Sequence, residues 1–214
     1  MTPVGSGIPS SRIGELRRRA QSIDPPGLGA GVRTPELVDV EELIPGIVVD
    51  LKYASDDNFI GHPLYDGRTA LLQRPVAESL TRVQEALKAR GAGLILYDAY
   101  RPWWVTWLFW EAMPVSARTY LADPAKGSRH NRGCAVDVGL VDLDSGEPLS
   151  MPSGFDEFTE RAHVGYRAPA DEARHRDLLI GCMEQEEFSV YSKEWWHFDH
   201  DCWGSYPVMN VPVP

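Results

Sequence analysis

The sequence predicts a single α+β domain with a largely antiparallel central sheet flanked by helices. Its 214 residues suffice for one well-buried core and are few for two independent ones. Helix-like and strand-like patterns follow one another in mixed order, the arrangement expected of an α+β domain. With 43% hydrophobic residues, 24% charged and seven tryptophans, the composition is that of a globular protein, and no repeat or low-complexity tract interrupts it.

The elements follow in order. Residues 1–36 are rich in Gly, Pro and Ser and carry one short amphipathic piece around Ile13 to Ala20, so few contacts offset their ordering entropy. They read as an N-terminal extension, partly disordered or a short helix, ahead of a domain spanning 37–214. The run 47–51 after Pro45 and Gly46 predicts a strand. Val76, Leu80, Val83 and Leu87 recur at helical spacing and predict a helix over 75–90, which Gly91 and Gly93 end. Residues 94–97 suit a buried strand, and Pro102 opens a second helix from Trp103 to about Met113. The run 134–141 is β-like with Asp137 inside it, and Asp144, Ser145 and Gly146 supply the next turn. Leu178, Leu179 and Met183 mark a helix over 171–184, and 188–198 is dense in aromatic and β-branched residues.

Charge and cysteine usage exclude whole classes of function. Acids outnumber bases 31 to 21 for a net charge of -10, the wrong balance for neutralising phosphates, so neither nucleic acid nor a membrane surface is an expected partner. No apolar run approaches the roughly 20 residues of a membrane helix. Cys134, Cys182 and Cys202 are odd in number and widely spaced, which fits a reducing compartment better than a disulfide framework. The basic stretch Arg17 to Arg19 lacks a following apolar segment, so no export signal is expected and the location is expected to be cytoplasmic.

Three short segments carry the candidate chemistry. In 128–137, His130 precedes Asp137, a carboxylate in an otherwise apolar strand; a cation would offset the cost of burying it, although a hydrogen-bonded core pair would serve as well. In 194–197, Glu194 and His197 stand three apart among tryptophans, on one face of a helix or in an irregular strand whose bend brings them into one pocket. At a strand-to-helix junction, Arg101 is placed to project into a cleft with Asp98 orienting it, or to form a salt bridge at the helix start. Together they supply two imidazoles, one ligating carboxylate, one free carboxylate and one cation, the inventory of a catalytic zinc site with an open fourth position. The His-Glu-x-x-His helix of common zinc proteases is absent.

These residues resemble the D-alanyl-D-alanine dipeptidases of the VanX type, within the wider group of zinc D,D-peptidases. Ser128, His130, Gly133, Ala135 and Asp137 fill an SxHxxGxAxD motif, Glu194 and His197 fill ExxH, and Tyr100-Arg101-Pro102 matches the arginine segment. Further matches are Lys52-Tyr53-Ala54, Asp57-Asn58-Phe59 with Gly61, and Phe155-Asp156, so the likeness runs from about residue 45 to the C-terminus. The resemblance implies one catalytic Zn²⁺ per chain on His130, Asp137 and His197, Glu194 as general base and Arg101 as stabiliser of the transition state. It implies hydrolysis of the D-alanyl-D-alanine dipeptide by metal-activated water, with Asp156 for the substrate ammonium and Ser128 or nearby backbone amides for its carboxylate, Asp156 reading equally as a helix N-cap. Tyr53 joins the expected substrate contacts. So does Tyr65, because Arg68 follows Asp66-Gly67 where the resemblance implies a substrate-facing tyrosine. The alternatives are a zinc D,D-carboxypeptidase or endopeptidase acting on peptidoglycan stem peptides, and a catalytically silent zinc-binding module of the same fold.

Other residues read as structural. Trp103, Trp104, Trp107 and Trp110 form a helical stripe suited to core packing or an oligomer interface, which leaves a homodimer open. Cys134 reads as a small buried residue, His200 as a group beside the metal ligands or an adventitious ligand, and Asp199 and Asp201 as a solvated face.

Overall fold

The computed structural model describes residues 8–27 and 33–214. In chain order the helices and strands are α1 (Ser10–Gln21), β1 (Leu37–Asp39), α2 (Val40–Leu43), β2 (Val48–Val49), β3 (Leu71–Gln73), α3 (Arg74–Lys88), β4 (Ala92–Asp98), α4 (Trp103–Ala112), β5 (Ala135–Asp142), α5 (Ala170–Glu184), β6 (Phe188–Tyr191) and β7 (Glu194–His200). Five strands form the central sheet in the order β2-β4-β5-β7-β6, and β1 pairs with β3 in a separate ribbon. Among the described residues only the β2–β4 pairing is parallel, and the remaining pairings are antiparallel as the sequence predicts.

The predicted helix over 75–90 is α3, begun by Pro75 in its first turn and followed by Gly91 at φ +75°. Its stripe of Val76, Leu80, Val83 and Leu87 is wholly buried in one hydrophobic cluster with Leu94 and Leu96 of β4 and Val136, Val138 and Leu140 of β5. Covered on both faces, β5 is buried from Ala135 to Val141, hence its run of small and apolar residues with Asp137 the one exception. The predicted strand at 47–51 shrinks to Val48–Val49, because it pairs only with β4, at the sheet edge.

A second hydrophobic cluster gathers Tyr53, Phe59, Tyr65, Tyr100, Trp104, Leu108 and Phe109 with Ile13, Leu16 and Ala20 of α1. The amphipathic piece near the N-terminus is thus a docked helix, its apolar side turned to α4. The guanidinium of Arg17 lies 5.0 Å from the Trp104 ring and that of Arg19 lies 5.5 Å from Trp107. The tryptophan stripe of α4 is therefore engaged within the chain: Trp103 donates to Pro124 O at 2.9 Å, and Arg118 covers Trp110.

Candidate metal centre

Adjacent strands bring the predicted groups into one row. Asp98 at the end of β4 is paired with Asp137 of β5, and Asp137 is paired with His197 of β7. His130 arrives from a 3₁₀ turn, His130–Arg132, which ends at Gly133 in the left-handed conformation (φ +67°). A Cβ there would stand 2.8 Å from Leu37 Cδ2, which would have to shift, and the left-handed backbone itself favours glycine where the chain turns into β5. Asn131, absent from the sequence-derived site, fixes this turn: its Nδ2 donates to Arg101 O at 2.8 Å and Thr106 Oγ1 at 2.9 Å, and its Oδ1 accepts from Ser128 N at 2.7 Å.

His130 Nε2, His197 Nδ1 and Asp137 Oδ1 converge, separated by 3.2, 2.9 and 3.3 Å. The other ring nitrogens are already engaged, His130 Nδ1 with Ala99 O at 2.7 Å and His197 Nε2 with Asp199 Oδ1 at 3.0 Å. If each imidazole donates its one proton outward, three lone pairs face a single point, and a cation resolves that repulsion. The separations match the edges of a tetrahedral shell with ligand bonds of about 2.0–2.2 Å, and the outward bonds are the kind that orient zinc-bound histidines. The residues therefore fit a divalent metal. Burial works against charge at His197, but bonds to Asp137 and Asp199 hold its pKa well above the ordinary value. Burial likewise works against ionisation of Asp137, yet His130 and His197 hold its carboxyl below the usual range.

The centre opens into a cavity of about 210 Å³ lying between the two hydrophobic clusters. Glu194, Arg101, Ser128, Tyr53 and Asp156 all line it. Glu194 reaches it from a bulge: β6 and β7 change register between Val190 and Tyr191, so Trp195, Trp196 and His197 lack the regular partner spacing of a flat strand. This is the irregular strand rather than the helix. Burial raises the Glu194 carboxyl to about 7, opposed by His197 and reinforced by Asp137. Arg101 lies over the adjoining Tyr53 and Phe109 rings, 5.0 Å from each, and donates to Asp98 Oδ2 through Nε at 2.9 Å and Nη2 at 2.6 Å. Its Nη2 also stands 3.7 Å from Asp137 Oδ2.

Several expectations are corrected. Tyr65 does not line the cavity; its hydroxyl donates to Asp98 at 2.6 Å, placing it behind Arg101. Asp199 is only partly exposed and turns to the site: two positions from His197 on the same strand, it shares that face, lines the cavity and faces Arg129 at 3.4 Å. Strand alternation was the signal that would have found it. His200, on the opposite face, turns away to Ser79 Oγ at 3.1 Å. Asp156 caps no helix; it sits at φ +56°, accepts from Tyr53 Oη at 2.9 Å, and is pushed well above the usual carboxylate range by burial and the nearby Asp137 charge.

A family model described as Peptidase_M15, D-ala-D-ala dipeptidase, matches residues 33–207. The chain belongs to this family. Its relatives include the D-alanyl-D-alanine dipeptidase of Escherichia coli K12, 37% identical over 177 residues that span 82% of this chain and 90% of that one. The D-alanyl-D-alanine dipeptidase of Enterococcus faecium is 35% identical over 74% of this chain and 88% of its own, and that of Streptomyces coelicolor 33% over 77% and 91%. A solved LD-carboxypeptidase, LdcB, whose structure concerned peptidoglycan recognition, shares 16% identity at a TM-score of 0.46, covering 81% of this chain and 72% of that one. As a D-ala-D-ala dipeptidase family member the chain is a peptidase. No helix among its described residues is long and apolar enough to cross a membrane.

Proposed function

We propose that the chain hydrolyses the free dipeptide D-Ala-D-Ala with one zinc ion held by His130, Asp137 and His197. The observation that carries this is the convergence of those three ligand atoms, with Glu194 left uncommitted in the same cavity. Zinc in that position supplies Lewis-acid polarisation of the scissile carbonyl and activation of water. Glu194 takes the proton from the attacking water and delivers it to the leaving amine, a role suited to a carboxylate poised near neutral pH. Arg101, locked on Asp98 and backed by two adjoining rings, keeps its cation aimed at the charge that develops on the carbonyl oxygen.

Asp156 receives the substrate ammonium, with Tyr53 fixing its carboxylate, and Ser128 contributes a donor for the substrate's far end. A cavity of about 210 Å³ falls below the roughly 300 Å³ at which pockets for drug-sized ligands begin, and a half-buried acid suits a free amino terminus better than an acylated one. The three unpaired thiols support a reducing, cytoplasmic setting. To test the function, the purified protein is given D-Ala-D-Ala, L-Ala-L-Ala and an acylated D-Ala-D-Ala tripeptide, with and without chelator. Chelator-sensitive cleavage of the first alone is expected. Cleavage of the acylated tripeptide would instead select a carboxypeptidase, and no cleavage of any would leave a silent metal-binding module.

A further inference from the structure

Outside the metal centre, two of the three cysteines meet. Cys134 Sγ, at the start of β5, lies 3.9 Å from Cys202 Sγ, in the 3₁₀ turn Asp201–Ser205 that follows β7. We propose that Cys134 and Cys202 form a reversible dithiol–disulfide site oxidised by a peroxide.

The two sulfurs differ in the way such a pair requires. Cys134 is wholly buried, whereas Cys202 is half-buried in a turn that buries no residue completely. A peroxide therefore reaches Cys202 first. The Cys134 thiol beside it holds the Cys202 thiol below its ordinary range against the effect of burial, and His200, whose Nδ1 accepts from Cys202 N at 3.2 Å, adds to that. Bonding requires the sulfurs to close to about 2.05 Å, a movement of about 2 Å that the exposed turn can supply while β5 stays fixed. Cys182 belongs to α5, and no contact joins its sulfur to either partner among the described residues.

The chemistry balances. The Cys202 thiolate attacks one oxygen of hydrogen peroxide, the O–O bond breaks, and the departing hydroxide is protonated to water, leaving Cys202 as a sulfenic acid. Cys134 then gives up its proton and attacks the Cys202 sulfur, the S–O bond breaks, and a second water leaves. Two thiols and one peroxide become one disulfide and two waters, and a dithiol reductant reverses the reaction by exchange. The bridge would tie together β5 and the turn after β7, the strands that carry Asp137 and His197. It does not depend on the hydrolytic function.

The test treats the full chain with hydrogen peroxide, counts free thiols with Ellman's reagent and maps tryptic peptides by mass. The count should fall from three to one, with a Cys134–Cys202 cross-linked peptide that dithiothreitol removes. Cys182→Ser should still lose two thiols, and Cys134→Ser should stop at a Cys202 sulfenic acid trapped by dimedone. Loss of thiols without that cross-linked peptide, or oxidation of Cys182 ahead of Cys202, would overturn the proposal; the wild-type peptide map decides it even if Cys134→Ser fails to fold.

Discussion

His197 Nε2 lies 3.0 Å from Asp199 Oδ1, two residues further along the same strand. That bond turns His197 Nδ1 towards Asp137 and His130. Asp199→Ala should weaken zinc affinity about 10–100-fold, as measured by competition with a chromophoric chelator. Unchanged affinity would remove Asp199 from the metal centre.

In the proposed mechanism Glu194 sets the pH response. With its carboxyl raised to about 7 in the metal-free protein, it is protonated below that pH and accepts a proton only above it. Carbon-13 NMR of labelled glutamate should show a site titrating near 7, and added zinc should move it downward. The folded pKa exceeds the reference value of 4.5, so the folded chain holds the extra proton between those values. Metal-free stability attributable to this group therefore falls as pH rises through that window, and Glu194→Gln should abolish the slope. The same variant should lose about 10²–10⁴-fold in kcat with its zinc content intact.

Arg101 is held by a two-nitrogen grip on Asp98 that a lysine cannot reproduce. Arg101→Lys should lower kcat/KM by about 10²–10³-fold while the zinc stoichiometry, read by atomic absorption, stays at one. Loss of metal instead would assign Arg101 to holding the centre together.

Asp156 has a left-handed backbone that asparagine also tolerates, so Asp156→Asn removes charge without adding strain. If the side chain receives the substrate ammonium, KM for D-Ala-D-Ala should rise about 10–100-fold with kcat less affected. An unaltered KM would place the ammonium elsewhere.

Leu16 of α1 is wholly buried against the cluster that includes Trp104 and Leu108. Leu16→Ala should cost about 2–5 kcal/mol in denaturant unfolding if α1 is part of the cooperative unit. A change below about 0.5 kcal/mol would mean that the helix comes away independently.

Helix α3 was legible because one stripe of four aliphatic residues at helical spacing leaves no other way to bury itself, and β5 because its small and apolar residues, broken only by Asp137, suit a doubly covered strand. Asp137 stood out within that run as a carboxylate needing compensation. Tyr65 and Asp199 were misplaced for opposite reasons. The hydroxyl of Tyr65 is spent on a residue 33 positions away, and the orientation of Asp199 follows from strand alternation that the aromatic crowding of 194–200 obscured.

The sequence by itself determined the candidate ligands, the candidate carboxylate and cation beside them, and the elements that carry them, because periodicity and the cost of burying charge are local properties of the chain. Only the tertiary structure decided that residues 67 apart, His130 and His197, aim nitrogens 3.2 Å apart at one point, that Asp98 serves Arg101, and that Cys134 meets Cys202. Those relations depend on strand register and on a bulge in β7, and register is fixed by packing between segments distant along the chain.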